Sequence, residues 1–133
     1  VLMTMQEMST AVQYNLPIKI FVLNNQYMGM VRQWQELLHD KNYSESYTAA
    51  LPDFVKLAEA YGCVGLRATK PEELDDKIIE MINTDRPVIF DCLVDKQENC
   101  FPMIPSGKPH NQMLLGPKDQ QEKKITGKGK TLV

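Results

Sequence analysis

The sequence predicts an α/β protein with a parallel sheet flanked by helices, and three observations support that fold class. Three short apolar runs, Ile18–Leu23, Cys63–Ala68 and Pro87–Val94, have the length and hydrophobicity of strands buried in a parallel sheet. Between them stand segments of helical periodicity with recognisable start and stop residues. At the carboxyl end of the first run the polarity switches abruptly to Asn24-Asn25-Gln26-Tyr27. Ligands of open α/β sheets sit outside the carboxyl ends of strands, so this turn is where chemistry is expected.

Each element has a local reason. From Thr4 to Asn15, Met5, Met8, Ala11 and Val12 follow a helical rhythm, with Thr4 the expected N-cap and Glu7 its capping-box partner. Leu16-Pro17 ends that helix and launches the strand at Ile18. A helix feeding a buried strand calls for an earlier strand, so the sheet is expected to lack its opening strands and the chain to begin within a longer protein. Met28 to Leu38 reads as a helix with Met30, Val31, Trp34, Leu37 and Leu38 on its apolar side. Gly29 in its first turn weakens the helix but permits close approach of a ligand. His39 to Ala50 has no clean period and reads as a long loop. A helix over Phe54–Tyr61, stopped by Gly62, precedes the strand Cys63–Ala68. Pro71-Glu72-Glu73 opens the next helix, which runs through Leu74, Ile78, Ile79 and Ile82 to the last strand. Residues 1–95 are thus expected to form the α/β domain. Residues 96–133 form an extended, mobile tail in which Phe101-Pro102-Met103-Ile104-Pro105 is apolar enough to dock, and the lysines from Lys118 to Lys130 make a solvated end.

At 133 residues the chain is long enough for one domain with a real core. A net charge of -2 gives no electrostatic footprint for nucleic acid. No apolar run approaches membrane-spanning length. Cys63, Cys92 and Cys100 fit no metal-ligand spacing; the first two lie in apolar surroundings and read as buried thiols, which suits a reducing, cytoplasmic compartment. There is no basic, signal-like start at Val1. His39 and His110 are isolated and read as solvated or structural.

The Asn pair has two readings on physical grounds. Asn favours turns and caps, so an ordinary strand-to-helix turn suffices. Alternatively an amide oxygen ligates a hard cation such as Mg²⁺, together with a main-chain carbonyl two residues on and a carboxylate from elsewhere. Trp34, the single tryptophan, is likewise either core or a wall of a site.

The block MTMQEMSTAVQYNLPIKIFVLNNQYMGMVRQWQ, followed by PDFVKLAEAYG and NCFPMIPSG, resembles the thiamine-diphosphate-binding domain of the acetolactate synthase (acetohydroxyacid synthase) large-subunit family. The resemblance runs from Val1 to about Gly116. In that family a Gly-Asp motif opens the diphosphate site and an Asn pair closes it; this chain holds the close.

The resemblance implies specific roles. Asn25 becomes a side-chain ligand of Mg²⁺ and Tyr27 a main-chain one. Met28, Gly29 and Met30 line thiamine diphosphate, with Met30 near the aminopyrimidine. Trp34 projects into the substrate channel and favours 2-ketobutyrate over pyruvate as acceptor, and Met103–Gly107 closes over the active site. The implied enzyme is a transferase that decarboxylates pyruvate and ligates the two-carbon unit to pyruvate or 2-ketobutyrate, in valine, leucine and isoleucine biosynthesis. FAD would be held mainly by another domain, and the activating Glu by a partner subunit, so no catalytic residue is expected in this chain. Glu7 is better read as a cap. The implied assembly is a homodimer or homotetramer with active sites at the dimer interface and a small regulatory subunit. The alternatives are another thiamine-diphosphate enzyme acting on 2-keto acids (an oxidase, a decarboxylase or a glyoxylate carboligase) and a non-catalytic α/β binding module.

Overall fold

The computed structural model describes residues 1–117, so the Lys118–Lys130 run lies outside the described residues. In chain order the elements are α1 (Glu7–Gln13), β1 (Lys19–Asn24), α2 (Gly29–Leu38), α3 (Phe54–Ala60), β2 (Val64–Ala68), α4 (Leu74–Asn83) and β3 (Val88–Leu93), with short 3-10 turns at Leu2–Thr4, Pro71–Glu73 and His110–Gln112. They divide into two compact units. One is Val1–Gln26 with Ala49–Lys96; the other is Tyr27–Thr48 with the segment from Gln97 on.

The first unit is a parallel sheet in the order β1-β3-β2. The last strand in sequence is therefore the central one, and its residues Val88 to Cys92 are all buried. Alternation along β3 sends its side chains to two cores. Val88, Phe90 and Cys92 join Leu66, Ala68 and Met81 on one face, with Leu74 and Ile78 of α4 packed against them. Ile89 joins Met8, Phe54, Ala58 and Cys63 on the other, under α1 and α3. The predicted fold class and element order hold.

The differences are local. Thr4 does not cap α1: it is drawn into the 3-10 turn, where its N–H bonds the Val1 carbonyl at 3.1 Å. The helix therefore starts at Glu7, with no side-chain cap. β1, whose composition has the character of a buried strand, is half-exposed here, with Leu23 at 68%. It is an outer strand of the described sheet, and the α4-side core draws only on β2, β3 and α4. Ile79 and Ile82 of α4 also point outward, while Met81 takes the buried position.

α3 is fixed at both ends. Asp53 Oδ1 accepts from the N–H groups of Val55 (3.0 Å) and Lys56 (3.3 Å) and from Arg67 Nη2 (2.7 Å). The Arg67 bond, together with the cap bonds, holds the Asp53 carboxyl below its usual range. Gly62 ends the helix at φ +80, a conformation open chiefly to glycine. Burial pushes the thiols of Cys63 and Cys92 upward, as inert core cysteines require.

α3 passes close over Gly65 of β2, where an added Cβ would stand 2.7 Å from the Val55 carbonyl oxygen and 2.8 Å from its Cα. Both are backbone atoms and cannot swing aside. Gly65→Ala is expected to destabilise the protein by about 1–3 kcal/mol by levering α3 off the sheet. Thermal unfolding followed by circular dichroism checks this, and a midpoint matching the parent's would refute it.

The second unit is built around α2. Tyr27 and Tyr47 form an antiparallel bridge in which Met28 N–H donates to Ser46 O at 2.8 Å, and the two rings lie 5.1 Å apart. Met103 and Leu114 form a second bridge, exchanging backbone bonds of 2.9 and 2.7 Å. The segment read from sequence as an extended tail thus folds back on itself over its described part.

Candidate functional site

β1 delivers its carboxyl end into a row of polar groups on the α1/α3 face of the sheet. The register aligns Val22 with Asp91 and Arg67 with Asp91, so the row crosses all three strands. Asp91 is 2% exposed. Its Oδ1 accepts from Asn24 Nδ2 at 2.9 Å and its Oδ2 from Arg67 Nε at 3.0 Å. A buried carboxylate is tolerable only when satisfied in this way. Asn24 Oδ1 in turn accepts from Gln26 N–H at 3.1 Å, and Gln26 takes a left-handed φ of +58. Asn24 is therefore a structural residue, both ends of its amide holding the turn. Asn25, half-buried, lies between these two fixed points.

Tyr27, Met28, Gly29, Met30 and Trp34 belong to the second unit. Tyr27 is half-buried beside Tyr47, and Met28 sits at the N-cap of α2. Gly29 opens that helix and is exposed, as are Met28 (52%) and Met30 (55%). Trp34 is 40% exposed and, with Met30, Val31, Leu38 and His39, lines an open groove of about 740 Å³. The expected apolar side of α2 thus does not form core within its own unit. The buried residues of this helix are Arg32 and Gln33.

Sequence reasoning missed both. Arg32 donates to Glu36 Oε2 (2.7 Å), Asn99 Oδ1 (2.9 Å) and Gln97 O (3.0 Å), with the rings of Tyr27 and Tyr43 at 5.7 and 5.8 Å. Its i,i+4 pairing with Glu36 was the one signal available in the sequence. Gln33 holds the backbone of Cys100 from both sides, and no pattern announces that contact. Cys100 itself is an exposed free thiol. Among the described residues no group of three or more His, Cys, Asp or Glu is placed to hold a metal, and no helix is long and apolar enough to cross a membrane.

A parallel sheet covered by helices, with a rigid amide-rich turn at a strand's carboxyl end, has the build of an α/β cofactor-binding domain. The family model for the thiamine pyrophosphate enzyme, C-terminal TPP binding domain, matches residues 1–92, and the chain belongs to that family. Its curated relatives include the acetolactate synthase large subunit of Cyanidium caldarium, 50% identical over 113 residues, covering 84% of this chain and 19% of that protein. They also include the acetolactate synthase isozyme 3 large subunit of Escherichia coli, 45% identical over 116 residues (85% and 20%). The mitochondrial acetolactate synthase catalytic subunit of Saccharomyces cerevisiae is 48% identical over 112 residues (84% and 16%). Among solved structures, a thiamine diphosphate-dependent 4-hydroxybenzoylformate decarboxylase from Rhodococcus jostii superposes with a TM-score of 0.60 at 25% identity, over 70% of this chain and 18% of that one. The chain spans about a fifth of the length of the curated relatives it matches.

The donor chemistry at the turn suits the family's cofactor. An amide oxygen and a main-chain carbonyl are hard ligands of the kind Mg²⁺ shares with phosphate oxygens. The fixed Asn24 turn limits the positions open to its neighbour.

Proposed function

We propose that this chain supplies the cofactor-anchoring and acceptor-selecting part of an acetolactate synthase catalytic subunit. The observation that carries this reading is the orientation of α2, which holds Arg32 and Gln33 within its own unit and offers Met30, Val31 and Trp34 to an open groove. A helix whose apolar side is spent on a groove, in a chain 42–50% identical to acetolactate synthases over most of its length, is built to contact something apolar.

In this reading Asn25 holds Mg²⁺ by its side chain and Tyr27 by its main-chain carbonyl. Met28, Gly29 and Met30 lie against thiamine diphosphate, and the amides opening α2 favour its negative charge. The bound cofactor supplies the decarboxylation of a 2-keto acid and the activation of the two-carbon fragment. This chain's residues position, exclude water and select. The exposed methionines and Trp34 present an apolar wall to the acceptor, while Met103–Gly107 covers the site. Proton transfer falls to groups elsewhere in the subunit or its partner, and FAD to another domain. The assembly is a homodimer or homotetramer with a small regulatory subunit, acting on pyruvate and 2-ketobutyrate in branched-chain amino acid biosynthesis. The buried free thiols of Cys63 and Cys92 suit a cytoplasmic setting.

The test is acceptor choice. A flat wall contacting one extra methylene discriminates by about 1–3 kcal/mol, or ten- to hundredfold. Trp34→Leu in the complete subunit is expected to retain acetolactate formation and to lower the preference for 2-ketobutyrate about tenfold. Product ratios in a pyruvate/2-ketobutyrate competition measure this, and an unchanged ratio would overturn the assignment.

A further inference from the structure

We infer that Gln33, seconded by Arg32, is a positioning residue that fixes the rotation of α2 and so sets the acceptor preference through Trp34. The inference rests on the functional reading above. It starts from an inversion: in a ten-residue helix with a broad apolar side, the two buried residues are a glutamine and an arginine. Gln33 is 2% exposed and Arg32 5%.

Gln33 Oε1 accepts from Cys100 N–H at 2.6 Å, and its Nε2 donates to Cys100 O at 3.0 Å, with Met103 Sδ at 2.9 Å. The amide thus pairs with both backbone groups of one residue, as a neighbouring strand would. At the preceding position, Arg32 is tied to Asn99 and to the carbonyl of Gln97. Two adjacent helix positions therefore grip residues 97–100 through four hydrogen bonds of fixed direction. Apolar packing is non-directional and lets a helix roll by small angles. Hydrogen bonds weaken steeply when bent. Trp34 directly follows the clamp, so a roll of α2 would swing its indole along the groove wall. Other ties of α2 in this unit, such as Gln35 Nε2 to Ser44 O at 2.7 Å, run to the loop that follows the helix, so the bonds to residues 97–100 are what hold it against that segment. The polar clamp replaces the core that this helix lacks.

The experiment is acceptor competition in the complete catalytic subunit carrying Gln33→Met, a near-isosteric change that removes both bonds. The preference for 2-ketobutyrate is expected to fall about three- to tenfold, with pyruvate-only turnover and the thiamine diphosphate affinity changed far less. Gln33→Glu, which keeps an acceptor for Cys100 N–H, should fall between. Because the effect acts through Trp34, the Gln33→Met/Trp34→Leu double variant should show the same product ratio as Trp34→Leu alone. A folded Gln33→Met enzyme with the parent's ratio, or a double variant whose shifts add, overturns the inference. If Gln33→Met does not fold, Gln33→Glu carries the same comparison, and a parental ratio there overturns it equally. A parent subunit that forms no acetolactate at all removes the functional reading itself, and this inference with it.

Discussion

Asn25→Ala in the complete catalytic subunit is expected to weaken binding of Mg²⁺ with thiamine diphosphate by at least about a hundredfold, and activity at ordinary cofactor levels with it. The figure follows from comparison with outer-shell groups, whose loss costs about 10- to 100-fold in metal affinity; a direct ligand should stand at or beyond the upper end. The fold should survive, because the turn is held by Asn24 through Asp91 and the Gln26 amide. Calorimetric titration with Mg²⁺ and thiamine diphosphate measures the loss. The thermal shift on adding cofactor should shrink in parallel, since a ligand stabilises in proportion to its occupancy. Asn25→Asp, which keeps an oxygen donor, should retain part of the affinity. An alanine variant that binds within a factor of a few of the parent would remove Asn25 from the metal site.

Asp91→Ala tests the support beneath that turn. It strands the Asn24 amide and the Arg67 guanidinium, each of which now has a carboxylate oxygen at 2.9–3.0 Å. Removing one partner of a buried pair costs about 3–5 kcal/mol. Arg67 is 35% exposed and keeps its bond to Asp53, so water and that carboxylate soften the loss to about 2–3 kcal/mol. Asp91→Asn, which keeps an acceptor for Asn24, should lose roughly half as much. Thermal unfolding of the complete subunit reads the stability, and cofactor titration reads the turn. The expected pattern is a lowered midpoint together with weakened cofactor binding. A lowered midpoint with unchanged cofactor affinity would detach Asp91 from the turn's geometry.

The parts of the molecule legible in the sequence are those in which local chemistry and tertiary use agree. Val88 to Cys92 reads as a buried strand because it is the central strand, covered on both faces. Phe54–Ala60 was bracketed by Asp53 and Gly62, which do the work assigned to such residues at helix ends. What escaped was use. Periodicity shows that Met30, Val31 and Trp34 share a side of α2; it cannot show whether that side meets the unit's own core or a groove. Nor could it show that Arg32 and Gln33 would be the buried ones, because their partners, Gln97 to Cys100, lie some 65 residues away. The Thr4 cap failed for a smaller reason: a 3-10 turn claimed the residue first. At the site, the position of the Asn pair at a strand's end was legible, but not the division of labour in which Asn24 fixes the turn through Asp91.

The strand order also bears on how the chain is made. β1 and β2 are not paired with each other; each is hydrogen-bonded to β3, which is synthesised after both. Until Val88 to Leu93 has left the ribosome, neither strand has its β3 partner, and the edge each will offer to β3 stays open. Contacts such as Lys19 with Val88 close loops of nearly seventy residues, a topology that folds slowly. The emerging polypeptide therefore passes through an interval, ended by β3, in which those two edges are exposed to mispairing.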